Sequence, residues 1–144
     1  MASIKISTGL KTYDIEDENG HIRGQISFNP SDMNFFERAQ NLKDRVTEIL
    51  DDVKVKQNEI KEEADVAAYI SEVDKQIKQE VNTLFDSPNA SDVVFGNQNC
   101  LNTLNGETFI ERFLIAFTPI IQEAFMEEQK KSDARISKYT KQVK

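Results

Sequence analysis

The stretch from residue 93 to residue 126 decides the fold, and it reads VVFGNQNCLNTLNGETFIERFLIAFTPIIQEAFM. Five of the nine Phe residues of the chain lie in it. Large apolar side chains gain free energy when they leave water, so a segment this apolar must be covered by the rest of the chain or by another protein. We therefore take these five as candidate protein-binding residues, with burial in the core as the alternative: Phe95, Phe109, Phe113, Phe117 and Phe125.

Two stripes of apolar residues precede this stretch. Apolar side chains recur at steps of three and four from Phe35 to Val53, and again from Val66 to Leu84. This period predicts two amphipathic helices that form an antiparallel helical hairpin over residues 31–86, with a coiled coil formed with a partner as the alternative. Between the stripes, the charged residues 51–63 form either a turn or a solvated extension of the first helix.

The N-terminal segment, residues 1–29, is predicted to form a β-hairpin. Apolar and polar residues alternate in it, and Asn19-Gly20 is a strong turn signal because both residues tolerate positive φ. Gly24 predicts a bulge in the second strand. Pro30 ends that strand, and Ser31 is predicted to cap the helix that follows. Because a lone hairpin is marginal in water, it must pack on the helices or pair with another chain.

The C-terminal third is predicted to contain two helices after a loop. Residues 86–92 have the composition of a loop. Asn97 is predicted to cap a short helix that ends near Asn105-Gly106. A long helix then begins at Glu107 and continues to about residue 139, and Pro119 either kinks it or starts it afresh.

These elements predict an α+β fold, mostly α, in which the N-terminal β-hairpin packs on a bundle of about four helices. Residues 1–144 form a single domain, with the hairpin in 1–29, the helical hairpin in 31–86, and the C-terminal helices with a basic tail in 92–140. The predicted core consists of the apolar residues on the facing sides of these elements: Ile26, Phe28, Phe35, Phe36, Leu42, Val46, Ile49, Ile70, Val73, Ile77, Val81, Leu84, Phe109, Phe113, Phe117 and Ile121.

The composition argues against several classes of function. A net charge of -7 argues against nucleic acid as a partner, because nucleic-acid binding needs a basic surface. No stretch approaches the ~20 apolar residues of a membrane span, and the N-terminus lacks the apolar core of a signal peptide. The single Cys100 cannot form an internal disulfide, which fits a reducing compartment. We therefore expect a cytoplasmic protein without a membrane or nucleic-acid partner.

Residues that could carry out chemistry are sparse. His21 is the only His; it lies beside a turn, and catalysis by His requires a nucleophile and an orienting partner. Cys100 has no His in its segment and is predicted to be a small core residue. The acidic residues between Asp14 and Glu18 lack the spacing of an EF-hand loop. The sequence therefore predicts a protein that is not an enzyme and has no cofactor or metal.

Three segments together carry a resemblance to a known family. The first reads FNPSDMNF over residues 28–35 and follows the hairpin, and the second reads VFGNQNC over residues 94–100. The third is the aromatic helix from Phe109 to Phe125, which continues into a Lys-rich tail with Lys138-Tyr139. Together they resemble the small tail assembly chaperones of long-tailed phages of Gram-positive and related bacteria.

The resemblance implies a small, acidic, mostly helical protein without enzymatic activity. Proteins of this family coat the tape measure protein and recruit tail tube subunits before the tube polymerises, and some are made in a short form and a frameshifted longer form. The resemblance therefore implies tape measure and tail tube proteins as partners. It transfers no catalytic residues, and the candidate binding residues rest on the aromatic stripe alone.

Two further expectations follow from charge and topology. An acidic phage regulatory or anti-defence protein that binds and inhibits a host protein is the alternative function, although 18 basic residues weaken any mimicry of nucleic acid. The β-hairpin leaves two sheet edges, and unpaired edges recruit strands. Segment 3–8 is predicted to cover one edge or to pair across a dimer, so we expect a homo-oligomer or a partner-dependent assembly.

Overall fold

The computed structural model describes residues 2–143, with side chains as far as Lys138. The side chains of Tyr139, Lys141 and Lys144 in the predicted basic tail lie outside the described residues. The chain is mostly helical, and the predicted α+β fold is confirmed. Its elements are, in order, β1 (Lys11–Glu16), β2 (Ile22–Phe28), α1 (Met33–Glu59), α2 (Glu63–Leu84), α3 (Ala90–Phe95), β3 (Thr103–Leu104), β4 (Glu107–Thr108) and α4 (Phe109–Val143).

The N-terminal hairpin forms around the predicted turn. β1 and β2 pair antiparallel, and the register shifts once at Arg23, beside Gly24, where the bulge was predicted. The Asp17 carboxylate closes the turn by accepting the backbone N–H groups of Asn19 at 2.9 Å and His21 at 3.0 Å. Residues 2–10 were also predicted as strand, but they have no regular structure. A strand needs a hydrogen-bonded neighbouring strand, and within residues 2–143 no strand pairs with this segment.

α1 and α2 form an antiparallel pair within the predicted range 31–86. α1 runs without a break through the charged residues to Glu59, so this stretch extends the helix, and residues 60–62 connect it to α2. Two contacts show that the pairing is antiparallel. Arg45 of α1 bonds to Glu80, near the C-terminal end of α2. Near the connection, the Lys56 ammonium lies 5.5 Å from the ring centroid of Tyr69.

The cap of α1 differs from the prediction by one residue. Asp32 is the N-cap, and its carboxylate accepts the backbone N–H of Asn34 at 3.0 Å. The hydroxyl of Ser31, the predicted cap, instead donates to the side-chain oxygen of Asn29 at 3.0 Å. Asp32 serves better because its negative charge also interacts favourably with the positive end of the helix dipole.

The region between α2 and α4 corrects two predictions. α3 begins inside the predicted loop 86–92, and no helix begins at Asn97. Asn105-Gly106 is the turn of the short β3–β4 hairpin and not a helix end. Both residues have positive φ, +54° and +85°. A helix C-terminus and a two-residue hairpin turn both require such dihedrals, which explains the error.

α4 is a single helix of 35 residues that contains Pro119. It begins at Phe109 instead of Glu107, because Glu107 is paired in β4. Pro119 does not start a new helix; proline lacks the N–H that would bond one turn back, so this is the position at which a helix can bend. The helix ends at Val143, a few residues beyond the predicted end.

The buried apolar residues form one cluster that joins the hairpin, α1, α2, α3 and α4. Most of the predicted core residues are buried in it. Four of them, Phe36, Ile70, Phe109 and Phe113, are only partly buried and pack against it. The buried residues that the core prediction omitted are Val53, Phe85, Ala90, Val94, Phe95 and Ile110, together with Cys100, whose burial was predicted separately.

Candidate protein-docking site

An open groove of about 640 Å³ runs between the N-terminal hairpin and α4. One wall is made by the consecutive residues 13–18 of β1 and its turn. Because side chains of a strand alternate between its two faces, a wall of consecutive residues includes the strand edge. The only strand partner of β1 among the described residues is β2, so this edge presents backbone groups without a strand partner. The opposite wall is one face of α4: Phe109, Phe113, Ala116, Phe117 and Ile120.

Phe28 lines the base of the groove and is the centre of a cluster of aromatic rings that continues into the core. The centroid of the Phe28 ring lies 4.7 Å from that of Tyr13, 5.0 Å from Phe35, 5.3 Å from Phe117 and 5.5 Å from Phe85. These rings come from the hairpin, α1, α4 and the end of α2. Aromatic pairs in such geometries stabilise by about 0.5–1.5 kcal/mol each beyond the area that they bury. The cluster therefore holds the two walls at a fixed separation.

The loop after α3 fixes the position at which α4 begins. The Asp74 carboxylate of α2 accepts the backbone N–H of Cys100 at 2.7 Å and pairs with Lys78 at 3.0 Å. The Cys100 carbonyl in turn accepts the N–H of Ile110 at 3.0 Å. Burial raises the pKa of the Cys100 thiol above its ordinary range. A side-chain hydrogen bond with Asp74 and the negative charge of Asp74 raise it further. A neutral, fully buried thiol is a core residue and not a nucleophile.

The rim of the groove is acidic on the hairpin side. Asp14, Glu16 and Glu18 are exposed there, and the Asp14 carboxylate accepts the side-chain amide of Gln25 at 2.8 Å. On the α4 side, the Arg112 guanidinium stacks on Phe109, 4.9 Å from the ring centroid, and donates to a backbone carbonyl at 2.6 Å. That guanidinium is therefore committed to its own helix start. Arg23 of β2 also lines the groove, so the acidic charge is concentrated along the β1 side of the opening.

A second depression, of about 620 Å³, lies between α1 and α4. Leu50 and Leu114 contribute apolar surface to it, but Lys43, Asp51 and Lys54 also line it. Thr103 of β3 and Thr108 of β4 also line it, but each of these strands has only two residues, so the strand edge that it offers is much shorter than that of β1. The groove beside the hairpin is therefore the better candidate for an apolar segment of another chain.

The structure separates the five Phe residues proposed as protein-binding. Phe95 is 0 % exposed and lies in the core, away from the groove. Phe117 is 4 % exposed, so most of its ring is in the core, although it also borders the groove. Phe109 and Phe113 are half-buried and line the groove. Phe125 lies outside it and stacks on Phe36, with centroids 5.4 Å apart.

The prediction from sequence missed half of the groove. Tyr13 and Ile15 form the strand wall, whereas Ala116 and Ile120 complete the helix wall. The alternation of Tyr13 and Ile15 was visible in the sequence, but nothing local indicates that the strand faces the aromatic helix. Ala116 carries no signal of its own, because a small residue beside a Phe stripe fits core and surface equally well.

The described residues offer little beyond apolar contact and charge. No group of three or more His, Cys, Asp or Glu among them could hold a metal ion. His21 is exposed, with its Nδ1 3.5 Å from the Asp17 carboxylate at the hairpin turn. Within the described part of the chain, no helix has both the length and the apolarity needed to cross a bilayer.

Comparison with protein families, curated proteins and solved structures found no match to this chain. The phage tail resemblance therefore rests on the sequence segments alone.

Proposed function

We propose that this protein is a non-enzymatic tail assembly chaperone that acts in the cytoplasm of the phage host. It binds an apolar segment of a tape measure or tail tube protein in the groove between β1 and α4. The observation that carries the proposal is this groove, which combines half-buried aromatic side chains with a strand edge that pairs with no other strand of residues 2–143. Contiguous apolar surface of this kind is typical of protein-binding sites.

The groove matches what an assembly chaperone requires. The aromatic wall of α4 covers apolar side chains of a client protein that would otherwise aggregate before assembly. The strand edge can pair with an extended client segment through backbone groups, which tolerates many sequences. The acidic rim and the net charge of -7 keep the complex dispersed.

The test is co-expression with the tape measure and tail tube proteins of the phage or prophage that encodes the chain, followed by co-purification. In Ala116→Glu, a carboxylate is introduced into the exposed helix wall opposite the acidic rim, so we expect the recovery of the tail protein to fall at least about 10-fold, as for a change of about 1.4 kcal/mol in binding. Met126→Glu is the matched control, because Met126 is 59 % exposed on the same helix and does not line the groove.

Circular dichroism establishes that both variants remain folded. Failure of the wild type to co-purify with either tail protein would overturn the chaperone assignment. Equal recovery with both variants would overturn the groove as the site.

The alternative, an inhibitor of a host protein, draws on the acidic hairpin, where Asp14, Glu16 and Glu18 are exposed together. Binding through these charges should weaken steeply as salt rises, because salt screens exposed charges over about 10 Å at 0.1 M. Apolar docking in the groove should change little. Capture of a host protein only at low salt would favour the alternative.

A further inference from the structure

Residues near the N-terminus have apolar side chains that the fold does not cover. Over residues 2–10, which we call the arm, there is no regular structure. Ile4 is 89 % exposed, Ile6 is 77 % exposed and Leu10 is 63 % exposed. Ile4 and Ile6 alternate with Ser3, Lys5 and Ser7, so the arm carries the period of a β-strand with one apolar face.

The base of the arm is clamped to the end of β2. The side-chain amide of Asn29 donates to the Thr8 carbonyl at 2.9 Å. Gly9 has a φ of +76°, and a Cβ there would lie 2.6 Å from the Asn29 amide nitrogen, so only glycine fits against the clamp. To pair with the free edge of its own β1, the arm would have to reverse direction within these clamped residues. No residue of the arm lines its own groove.

The arm and the groove are complementary in three respects. Residues 2–8 span about 23 Å when extended, and the six residues of β1 span about 20 Å. The apolar face of the arm suits the aromatic wall of α4, and its backbone suits the free edge of β1. The arm contains Lys5 and no acidic residue. The groove carries Asp14, Glu16 and Glu18 along β1, the edge on which the arm would lie, and its two arginines, Arg23 and Arg112, come from β2 and α4.

We infer that the arm of one molecule binds as an added strand in the groove of a second copy of this chain, between the edge of β1 and α4. The clamp at Thr8 holds the arm in an outward position from which a second molecule can be reached. The arm then occupies the surface that receives the tail protein, so a client must displace it. This last consequence rests on the proposed function, whereas the arm exchange itself does not.

Cross-linking of two single-cysteine variants tests the exchange with the full chain and no tail protein. Ile6→Cys is mixed with Ala116→Cys that carries a size tag, and a short bismaleimide is added. Cys100 is left in place because it is buried. We expect a hybrid covalent dimer to form at least about 10-fold faster than in a mixture of Ala116→Cys with Val55→Cys, a control site that is 57 % exposed and far from the groove lining. Equal rates in the two mixtures would overturn the inference.

The double variant Ile6→Cys/Ala116→Cys separates exchange from fold-back. In dilute solution the chains are separate molecules. The two cysteines of one chain should then remain uncross-linked, because the arm does not reach the groove of its own chain. Rapid cross-linking within one chain would overturn the role of the second copy.

Sedimentation velocity over a range of concentrations provides the independent measurement. The wild type and Val55→Lys should associate as concentration rises, whereas Ile4→Lys/Ile6→Lys should stay monomeric with unchanged circular dichroism. A wild type that is monomeric at all concentrations would refute the exchange. The tail protein should still co-purify with Ile4→Lys/Ile6→Lys, so failure of the exchange and failure of the proposed function give different results.

Discussion

The two faces of α4 share one apolar sequence but have different surroundings. On one face, Ile110 is 0 % exposed and Ile121 is 3 % exposed. On the other face, Ala116 is exposed and Ile120 is 36 % exposed, beside the half-buried Phe113. The composition of the helix does not distinguish these faces. The two faces differ in what packs on them. α1 and the hairpin pack over the first face, whereas the second borders an open groove.

The largest expected effect tests the buried side of this comparison. Phe95 is fully buried, and its ring centroid lies 5.0 Å from that of Phe109 and 6.1 Å from that of Phe113. Phe95→Ala should lower the free energy of unfolding by about 3–5 kcal/mol, because it removes buried surface and leaves a cavity. Urea denaturation measures this loss.

Phe125→Ala is the matched control for that prediction. Phe125 is half-buried and has one aromatic neighbour, Phe36, so its loss should be less than about half as large. Similar losses of unfolding free energy from the two variants would contradict the difference in burial between Phe95 and Phe125.

A smaller effect is expected from the polar contact that supports the start of α4. Asp74→Ala leaves the buried N–H of Cys100 without its acceptor and Lys78 without its ion pair. An unsatisfied buried donor costs about 1–3 kcal/mol, so the free energy of unfolding should fall by that amount. Asp44→Ala, at an exposed position of α1, should stay within about 0.5 kcal/mol of the wild type. An equal loss from both variants would contradict the role of Asp74.

A comparison of thiol reactivity distinguishes a buried position, Cys100, from a groove position, Ala116. A thiol placed in the groove by Ala116→Cys should react with iodoacetamide at the rate of a free thiol. Cys100, which is buried and has a raised pKa, should react more slowly by about 10-fold or more. Mass spectrometry at successive times measures both rates in one protein, and equal rates would contradict the burial of Cys100.

The pH dependence of stability has a defined sign. Because the pKa of the Cys100 thiol is higher in the folded state, its contribution to stability is fully present below the pKa of the unfolded thiol. As pH rises above that value, the unfolded state loses its proton first, so the free energy of unfolding falls. Cys100→Ala should show a weaker fall over the same alkaline range in urea titrations.

Much of the fold was predictable because its helices carry long stripes of regular period. The core contains the apolar stripes of α1 and α2, which run from Phe35 to Val53 and from Val66 to Leu84. The position of the turn between β1 and β2 was also predictable, because Gly20 supplies the positive φ that it needs, although Asn19 does not have positive φ. Between α2 and α4 the elements are short, and their identity depends on contacts distant in sequence, such as that of Asp74 with Cys100.

The candidate site was harder to predict than the fold. The aromatic stripe identified Phe109 and Phe113, but it gave equal weight to Phe95, which is fully buried. Tyr13 and Ile15 reach the groove only because the hairpin packs across the start of α4, and no local pattern specifies that arrangement. Whether a residue belongs to a core or to a surface depends on what covers it, and a helical period reports only which residues share a face.

The aromatic cluster around Phe28 has a consequence for synthesis of the chain. Phe28 is made early, but two of its ring partners, Phe85 and Phe117, are made much later. At about 5–20 residues per second, the ribosome needs on the order of 5–20 s to add the residues from Phe28 to Phe117. Throughout that interval the apolar face of the nascent hairpin and both strand edges stay open. The surfaces that later form the groove are thus exposed to solvent before the helix that covers them exists.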